Sequence, residues 1–252
     1  MVEISQSLDA ALPYFVAALL PPHQPHWGPA IGQSTTVSFS FMASPPMDEL
    51  SLSFDRRYGD PFASFRPFTE SQRVAVRQAL AAWSEVCGLT FAELDGLALA
   101  GGGRGMIEFG RHAMSFAGYA YYPSVDASSG QPLAHNPGGD VLINAGYGDV
   151  SPGTGGYATL LHEIGHALGF KHTGDYGTAG SDAPFLPETE DHRGNSVMSY
   201  LPAPHPTAGL GLFDMIAAQY YYGPNLSVRT GDDLYVFGHS HLVWDGSGAD
   251  TL

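Results

Sequence analysis

The chain has 252 residues, with 25 acidic against 10 basic side chains and a formal net charge of −15 at pH 7. An acidic surface of this kind argues against nucleic acid as a partner and gives no attraction to anionic membranes. Hydrophobic residues make up 44% of the chain, which excludes disorder of the whole protein. The single cysteine, Cys87, excludes an internal disulfide, and we expect it to be buried without a catalytic role.

The N-terminal region contains one apolar stretch, Leu8 to Leu20. It has no basic segment before it, contains Pro13 and is too short to span a bilayer, so we expect neither a usual signal peptide nor a membrane anchor. An amphipathic helix here could pack on the following domain, cover a cleft as a short propeptide, or bind another protein. These alternatives stay open at the level of sequence.

Hydrophobic periodicity predicts a mixed α+β fold. Apolar residues alternate in 37–42 and 89–94, which is typical of strands, and they follow a helical period in 69–86 between them. Thr69 and Gln72 have the spacing of a capping box at the start of that helix. Further strands are predicted at 106–109, 118–122 and 140–144, and further helices at 157–168 and 212–222, with a loop-rich stretch between these two helices.

The sharpest chemical signal is the sequence HEIGHALGFKH at residues 162–172. His162 and His166 are four residues apart and share one helical face, so their imidazoles can reach the same metal ion. Glu163 projects about 100° around the helix, toward a water on that ion. Each histidine alone would be read as an ordinary core or surface residue, but the combined spacing is too specific for that interpretation.

The helix has to end soon after the second histidine for a third ligand to arrive. Gly169 can take the left-handed conformation that ends helices, which turns the chain so that His172 returns toward the same ion. Three protein ligands leave one position for water, as in catalytic zinc sites.

A second motif, Ser-Val-Met-Ser-Tyr at 196–200, resembles the Met-turn of the metzincin metallopeptidases. Together with the histidine motif, it makes the sequence similar to that clan. Three further segments are similar to the serralysin family of bacterial secreted proteases: HTGDY at 172–176, DMIAAQY at 214–220 and RTGDDLY at 229–235. The resemblance extends more weakly upstream and covers most of the chain outside residues 1–26. It implies a metzincin-like α+β catalytic domain with a mixed sheet, an active-site helix and a loop-rich C-terminal half.

This resemblance implies roles for the residues of both motifs. The three histidines would bind catalytic zinc, Glu163 would be the general base for a zinc-bound water, and peptide bonds would be hydrolysed. Met198 would form a hydrophobic floor without ligating the metal. Tyr200 would be a switchable zinc ligand that later donates a hydrogen bond to the oxyanion. The alternatives are a zymogen-like form held inactive by the N-terminal segment and a noncatalytic zinc-binding module, although a structural zinc needs no general base.

The segment at 118–121 resembles the family's edge strand above the cleft. Its residues Gly118, Tyr119, Ala120 and Tyr121 would bind an extended protein or peptide substrate by strand addition. The alternative interpretation is an internal strand of the sheet.

Carboxylates and flexible backbone near the C-terminus suggest a second ion, because calcium prefers oxygen ligands. By position in the family, one structural Ca²⁺ would be shared by the carbonyls of Arg229, Gly231 and Ser247 and the carboxylates of Asp233, Asp245 and Asp250. The alternative is a solvated tail of acidic turns.

We therefore predict three segments: an N-terminal extension at 1–26, a zinc peptidase domain at 27–223 and the start of a calcium-binding repeat region at 224–252. The family's repeat array and C-terminal secretion signal are not in this sequence, as expected for an excised domain or a shortened relative. The resemblance further implies a secreted, extracellular bacterial protein, a monomer, and a small protein inhibitor as a partner.

Overall fold

A five-stranded mixed sheet forms one layer of the fold. The structure is a computed structural model, and it describes residues 12–45, 61–95, 104–126, 137–203, 209–236 and 242–251. The strands are β1 (Thr35–Phe41), β2 (Leu89–Glu93), β3 (Ile107–His112), β4 (Gly118–Ala120) and β5 (Val141–Asn144). Their order is β2-β1-β3-β5-β4, in which β4 runs antiparallel to β5 and the other pairs are parallel. The predicted mixed α+β class is confirmed.

The helices of the described residues are α1 (Tyr14–Ala17), α2 (Pro61–Ser64), α3 (Glu70–Val86), α4 (Gly155–Ala167) and α5 (Leu212–Tyr222). The two longest, α3 and α4, pack against each other, and α4 also contacts β4 and β5. None of these helices is long and apolar enough to cross a membrane.

Helix α3 begins at a capping box, as the sequence predicts. The Thr69 N–H donates to Gln72 Oε1 at 3.0 Å, and the Gln72 N–H donates to the Thr69 hydroxyl at 3.4 Å. Thr69 is therefore the N-cap, and the helix starts one residue later than its predicted bound. Its apolar face, including Val76, Leu80 and Trp83, is buried in the core.

Helix α4 carries the histidine motif and is held by the core on several sides. Its N-cap is Thr154, whose hydroxyl accepts a hydrogen bond from the Tyr157 N–H at 3.1 Å, so the helix begins two residues before its predicted start. The apolar residues in and directly after this helix are fully or almost fully buried: Leu160, Leu161, Ile164, Ala167 and Leu168. Such burial fixes the orientation of the polar residues between them.

The N-terminal segment packs into the same core as the sheet and helices. Helix α1 is only one turn long and starts directly after Pro13; the beginning of the predicted apolar helix, residues 8–11, lies outside the described residues. Val16, Leu19 and Trp27 are buried, and Trp27 Nε1 donates to the Ala167 carbonyl at 2.8 Å. This segment thus contacts the end of α4, whereas the limits of the three predicted segments stay a prediction.

Cys87 lies at the end of α3 and is fully buried, as expected. Burial raises the pKa of its thiol to about 12, which keeps the sulfur protonated and unreactive. Its thiol donates to the Trp83 carbonyl at 3.2 Å.

Candidate metal centre

Three buried histidines meet beside helix α4. His162 and His166 extend from the helix, and His172 returns from the loop that follows it. One ring nitrogen from each lies within 4.8 Å of those of the other two, and Nε2 of His166 is 3.0 Å from Nε2 of His172. The predicted convergence of the three side chains is therefore present in the fold.

The return of the third histidine depends on a glycine turn. Gly169 has a φ of +103°, the left-handed conformation expected from the sequence. A Cβ at this position would collide with the Pro25 carbonyl, so a side chain is excluded by the N-terminal segment as well as by the backbone angle. The Phe170 N–H donates to the Gly165 carbonyl at 2.9 Å and closes the turn.

Main-chain carbonyls orient two of the imidazole rings. His162 Nδ1 lies 2.7 Å from the Val197 carbonyl, and His166 Nδ1 lies 2.7 Å from the Phe170 carbonyl. Because a carbonyl only accepts, each Nδ1 must carry the proton, which leaves the Nε2 lone pair for a metal. His172 Nδ1 has two hydroxyls nearby, those of Ser181 at 3.4 Å and Thr178 at 3.5 Å.

Burial keeps all three rings neutral. It lowers the pKa of His162 to about 4 and, together with neighbouring His162, lowers the pKa of His172 to about 3. The pKa of His166 is also well below its ordinary value, for the same reason. Neutral imidazole is the form that binds metal ions, so the donor set fits a divalent cation that accepts nitrogen ligands.

Glu163 is buried next to this group, and its Oε2 atom has no hydrogen-bond partner among the described residues. Burial raises the pKa of Glu163 to about 8. The carboxylate lies against strand β4, since a Cβ added to Gly118 would be 3.1 Å from Glu163 Cγ and 3.2 Å from Oε1. A buried carboxyl group with one oxygen unpartnered among the described residues, beside three converging ligands, is a candidate for proton transfer.

The 196–200 turn lies beneath the histidines. Met198 is fully buried, and a Cβ at Gly165 would collide with Met198 Sδ, so the thioether packs on α4 between the two helical ligands. Asp214 holds the turn by accepting hydrogen bonds from the Ser196 hydroxyl at 2.6 Å and the Val197 N–H at 2.8 Å.

Tyr200 lies beside the histidines. Its ring centroid is 4.6 Å from that of His172 and 5.6 Å from that of His162, and 43% of the residue is exposed. Burial raises the pKa of its phenol above the ordinary value, so the hydroxyl is protonated near neutral pH. The predicted neighbourhood of Tyr200 and the histidines is present, and no metal contact is implied by these distances alone.

Several known proteins are similar in sequence to this chain. No protein-family model matches the chain. The metalloprotease AprA of Pseudomonas entomophila is 32% identical, with 86% of this chain and 48% of AprA covered by the alignment. Serralysin of Proteus mirabilis is 32% identical, with 88% of this chain and 50% of the relative covered. Serralysin A of Dickeya chrysanthemi is likewise 32% identical, covering 88% and 48%. The chain contains a serralysin-family metallopeptidase domain. It spans about half the length of these curated relatives.

The predicted substrate strand of this serralysin domain is the edge strand of the described sheet. Gly118, Tyr119 and Ala120 form β4, and Tyr121 follows it with its N–H donating to the Asp140 carbonyl at 3.0 Å. The alternative of an internal strand does not agree with this order. Strand β4 lies directly beside Glu163, since a Cβ added to Gly118 would be 3.1 Å from Glu163 Cγ.

The acidic residues predicted to bind calcium also come together, in the C-terminal part of the chain. Carboxylate oxygens of Asp233, Asp245 and Asp250 all lie within 4.8 Å of one another. The remaining predicted ligands, Arg229, Gly231 and Ser247, belong to the same two loops. The two loops are in contact at Gly248, which is so close to the Gly231 carbonyl that an added Cβ would collide with it. They are also joined by a hydrogen bond from the Asp233 N–H to Asp250 Oδ1 at 3.0 Å.

The sequence motifs assign no role to three further residues around the site. The Tyr176 ring stacks on the Tyr200 ring, and Asp191 accepts a hydrogen bond from the Tyr176 hydroxyl. Lys171 is fully buried, and its ammonium donates to the carbonyls of Ala18 at 2.5 Å and Pro184 at 2.7 Å. Lys171 is the only lysine in this acidic sequence and lies within the histidine motif, so the sequence alone could have marked it as a residue with a structural role. Nothing in the sequence distinguishes Asp191 in this way.

Proposed function

We propose that this chain is a zinc-dependent endopeptidase domain that hydrolyses peptide bonds in extended protein substrates. The observation that carries the proposal is the position of Glu163 beside three neutral histidines whose ring nitrogens converge. Glu163 is buried, and its Oε2 has no partner in the part of the chain that the structure describes. The metalloprotease and serralysin names of the relatives support the same activity.

Zinc would be held by Nε2 of His162, His166 and His172, with Tyr200 as a further, exchangeable ligand. These residues fit the ion because their rings are neutral and two of them are oriented by carbonyls. Bound Zn²⁺ supplies Lewis acidity, which lowers the pKa of water and polarises a carbonyl group.

Glu163 would act as the general base. Its carboxylate accepts a proton from the water that attacks the scissile carbonyl carbon, and it then returns that proton to the leaving amine nitrogen. One feature suits it to this exchange: no donor among the described residues occupies Oε2. Burial raises the pKa of Glu163 to about 8, and the positive charge of a bound Zn²⁺ would favour the carboxylate form that a base requires.

Tyr200 would stabilise the negative charge that develops on the carbonyl oxygen. Its protonated hydroxyl can donate a hydrogen bond to that oxygen while the ring stays against His172. Met198 would take no part in bond making, and its packing under α4 would keep the two helical ligands in place.

Substrate would bind as an additional strand next to Gly118, Tyr119, Ala120 and Tyr121. An edge strand can pair with an extended peptide through its main chain, which gives affinity with little dependence on side chains. The peptide would then run past the Glu163 carboxylate, which lies against Gly118.

Calcium would bind between the two C-terminal loops as a structural ion. The proposed ligands are the carboxylates of Asp233, Asp245 and Asp250 and the carbonyls of Arg229, Gly231 and Ser247. Three clustered carboxylates repel one another without a cation, so the ion would hold the loops together.

We also propose that the protein acts outside a bacterial cell as a monomer and that a small protein inhibitor is among its partners; these features follow from the family. The zymogen-like alternative is less favoured because Val16 and Leu19 are part of the core. Loss of that segment would remove core packing rather than only uncover a cleft.

The test is hydrolysis of casein by the purified chain, with and without a zinc chelator, together with metal analysis. We expect chelator-sensitive cleavage and about one zinc per chain. Glu163→Ala should abolish cleavage with zinc retained. Glu70→Ala is the matched control, because Glu70 forms a surface ion pair with Arg77 at 2.8 Å and should leave turnover unchanged. Near-normal turnover in Glu163→Ala would refute the proposed base, and bound zinc without any cleavage would favour the noncatalytic module.

A further inference from the structure

A buried hydrogen-bonded cluster connects the loop after His172 with the turn that contains Tyr200. Its centre is the carboxylate of Asp191, which is buried. The Thr173 hydroxyl donates to Asp191 Oδ1 at 2.6 Å, and the Tyr176 hydroxyl lies 2.7 Å from Oδ1 and 2.6 Å from Oδ2. Asp191 thereby ties Tyr176 to the residue next to the third histidine.

The direction of each hydrogen bond in this cluster can be assigned. Tyr176 has a single hydroxyl proton, which goes to Asp191, so its oxygen is an acceptor for all other partners. The Tyr200 N–H donates to this oxygen at 3.2 Å, and the Ser199 hydroxyl, 3.1 Å away, must donate as well. Burial and the bond to Asp191 both raise the pKa of Tyr176, so it remains a donor to the carboxylate.

The ring of Tyr176 makes a second contact with the same target. It stacks on the Tyr200 ring with centroids 4.4 Å apart and planes inclined by 9°. The ring is also closely packed against the main chain at Gly174, since a Cβ there would collide with Asp191 Oδ2 and lie 2.7 Å from Tyr176 Cε1. Stacking on one side chain and close packing at Gly174 together restrict the position of the Tyr176 ring.

We infer that Tyr176 is a positioning residue for Tyr200: its ring supports the Tyr200 ring from behind, and its hydroxyl, anchored on Asp191, fixes the Tyr200 main chain. The inference rests on the proposed function, because it explains how a half-exposed phenol on a loop is kept against His172. A side chain that is fixed before substrate arrives loses little conformational entropy when it acts.

The first experiment is a double-mutant cycle on casein or a peptide substrate. Tyr176→Phe keeps the stacked ring and removes only the hydroxyl. We expect kcat to fall about tenfold, with KM and zinc content near wild type, and Tyr200→Phe to lower kcat about a hundredfold. In the Tyr200→Phe background, Tyr176→Phe should lower kcat no further, because Tyr176 acts only by positioning the Tyr200 hydroxyl, which that background lacks.

The matched control is Tyr14→Phe. Tyr14 also donates its hydroxyl to a carboxylate, Glu190 Oε2 at 2.5 Å, but it is exposed and belongs to helix α1. The same chemical change at this position should leave kcat unchanged.

A spectroscopic readout separates positioning from a general loss of activity. With Cu²⁺ in place of zinc, coordination by the Tyr200 phenolate should give a ligand-to-metal charge-transfer band, which Tyr200→Phe removes. Tyr176→Phe should weaken or shift this band, whereas Tyr14→Phe should leave it unchanged.

Two results would overturn the inference while leaving the proposed function intact. One is an impaired Tyr200→Phe combined with wild-type kcat and an unchanged copper band in Tyr176→Phe. The other is an equal loss of kcat from Tyr176→Phe with and without the Tyr200 hydroxyl. Full activity of Tyr200→Phe itself would instead refute the proposed role of Tyr200, and the inference with it.

Discussion

Asp214 offers the most direct test of how the turn under the metal centre is held. Its carboxylate is fully buried at the start of α5 and accepts hydrogen bonds from the Ser196 hydroxyl at 2.6 Å and from the N–H groups of Val197 and Gly211, each at 2.8 Å. The carbonyl of Val197 in turn orients His162. Loss of the carboxylate should therefore affect both the stability of the fold and the binding of zinc.

The magnitude follows from the groups that are left without partners. Asp214→Ala strands three buried donors, and each costs about 1–3 kcal/mol when no acceptor replaces the lost one. Part of this loss in stability is offset because the variant also removes a buried charge. The cost of burying that charge is visible in the pKa of Asp214, which burial raises to about 6. We expect the free energy of unfolding to fall by about 3 kcal/mol. Asp214→Asn keeps an oxygen that both N–H groups can use, so its loss should be about 1 kcal/mol.

The assay is urea unfolding of the chelated and the zinc-loaded protein, followed by circular dichroism. Asp149→Ala is the matched control, because Asp149 accepts the Ser151 N–H at 2.8 Å on the exposed surface and should change stability by less than about 0.5 kcal/mol. The zinc-loaded and chelated forms of Asp214→Ala should also differ less than those of wild type, since His162 is less well oriented. Equal losses in Asp214→Ala and Asp149→Ala would refute the reasoning.

Three further outcomes are expected. Gly118→Ala should lower kcat about tenfold with zinc retained, because its Cβ would crowd the Glu163 side chain at 3.1 Å; Gly148→Ala, with nothing within 4 Å, should have wild-type kinetics. Removal of residues 1–26 should lower the melting temperature and casein hydrolysis together, whereas activation would support a zymogen. Calcium should raise the melting temperature of wild type but not of Asp233→Ala, and equal shifts in both would exclude the proposed calcium ligands.

Features that depend on local geometry were predicted well from the sequence. The bounds of α5, Leu212–Tyr222, agree with its hydrophobic period, and α3 differs only because Thr69 caps the helix instead of joining it. Gly169 has the positive φ that a helix end followed by His172 requires. In each case a short stretch of chain contains all the information, because helix periodicity, capping and chain reversal act over a few residues.

Contacts between distant segments were predicted only where the family resemblance indicated them. The contact between Tyr176 and Asp191 joins two parts of a loop-rich region that has no hydrophobic period, so no pattern brings them together. The N-terminal segment had three open interpretations, and only the packing of Val16 and Leu19 in the core distinguishes them. The full order of the five strands likewise arises from tertiary packing, although the family resemblance indicated that 118–121 forms an edge strand.

The metal centre shows why some of its features could be predicted from a short motif and others could not. Helix geometry alone aligns two imidazoles, but their rotation is set by the carbonyls of Val197 and Phe170, which come from separate turns. The loop bearing the third imidazole is held by Lys171, which contacts the N-terminal segment through Ala18 and through its N–H to the Leu19 carbonyl at 2.8 Å. A short motif therefore identifies the ligands, whereas the distant segments that fix their orientation determine how firmly they are held. For this reason, substitutions outside the motif should change zinc affinity and kcat without removing a single ligand.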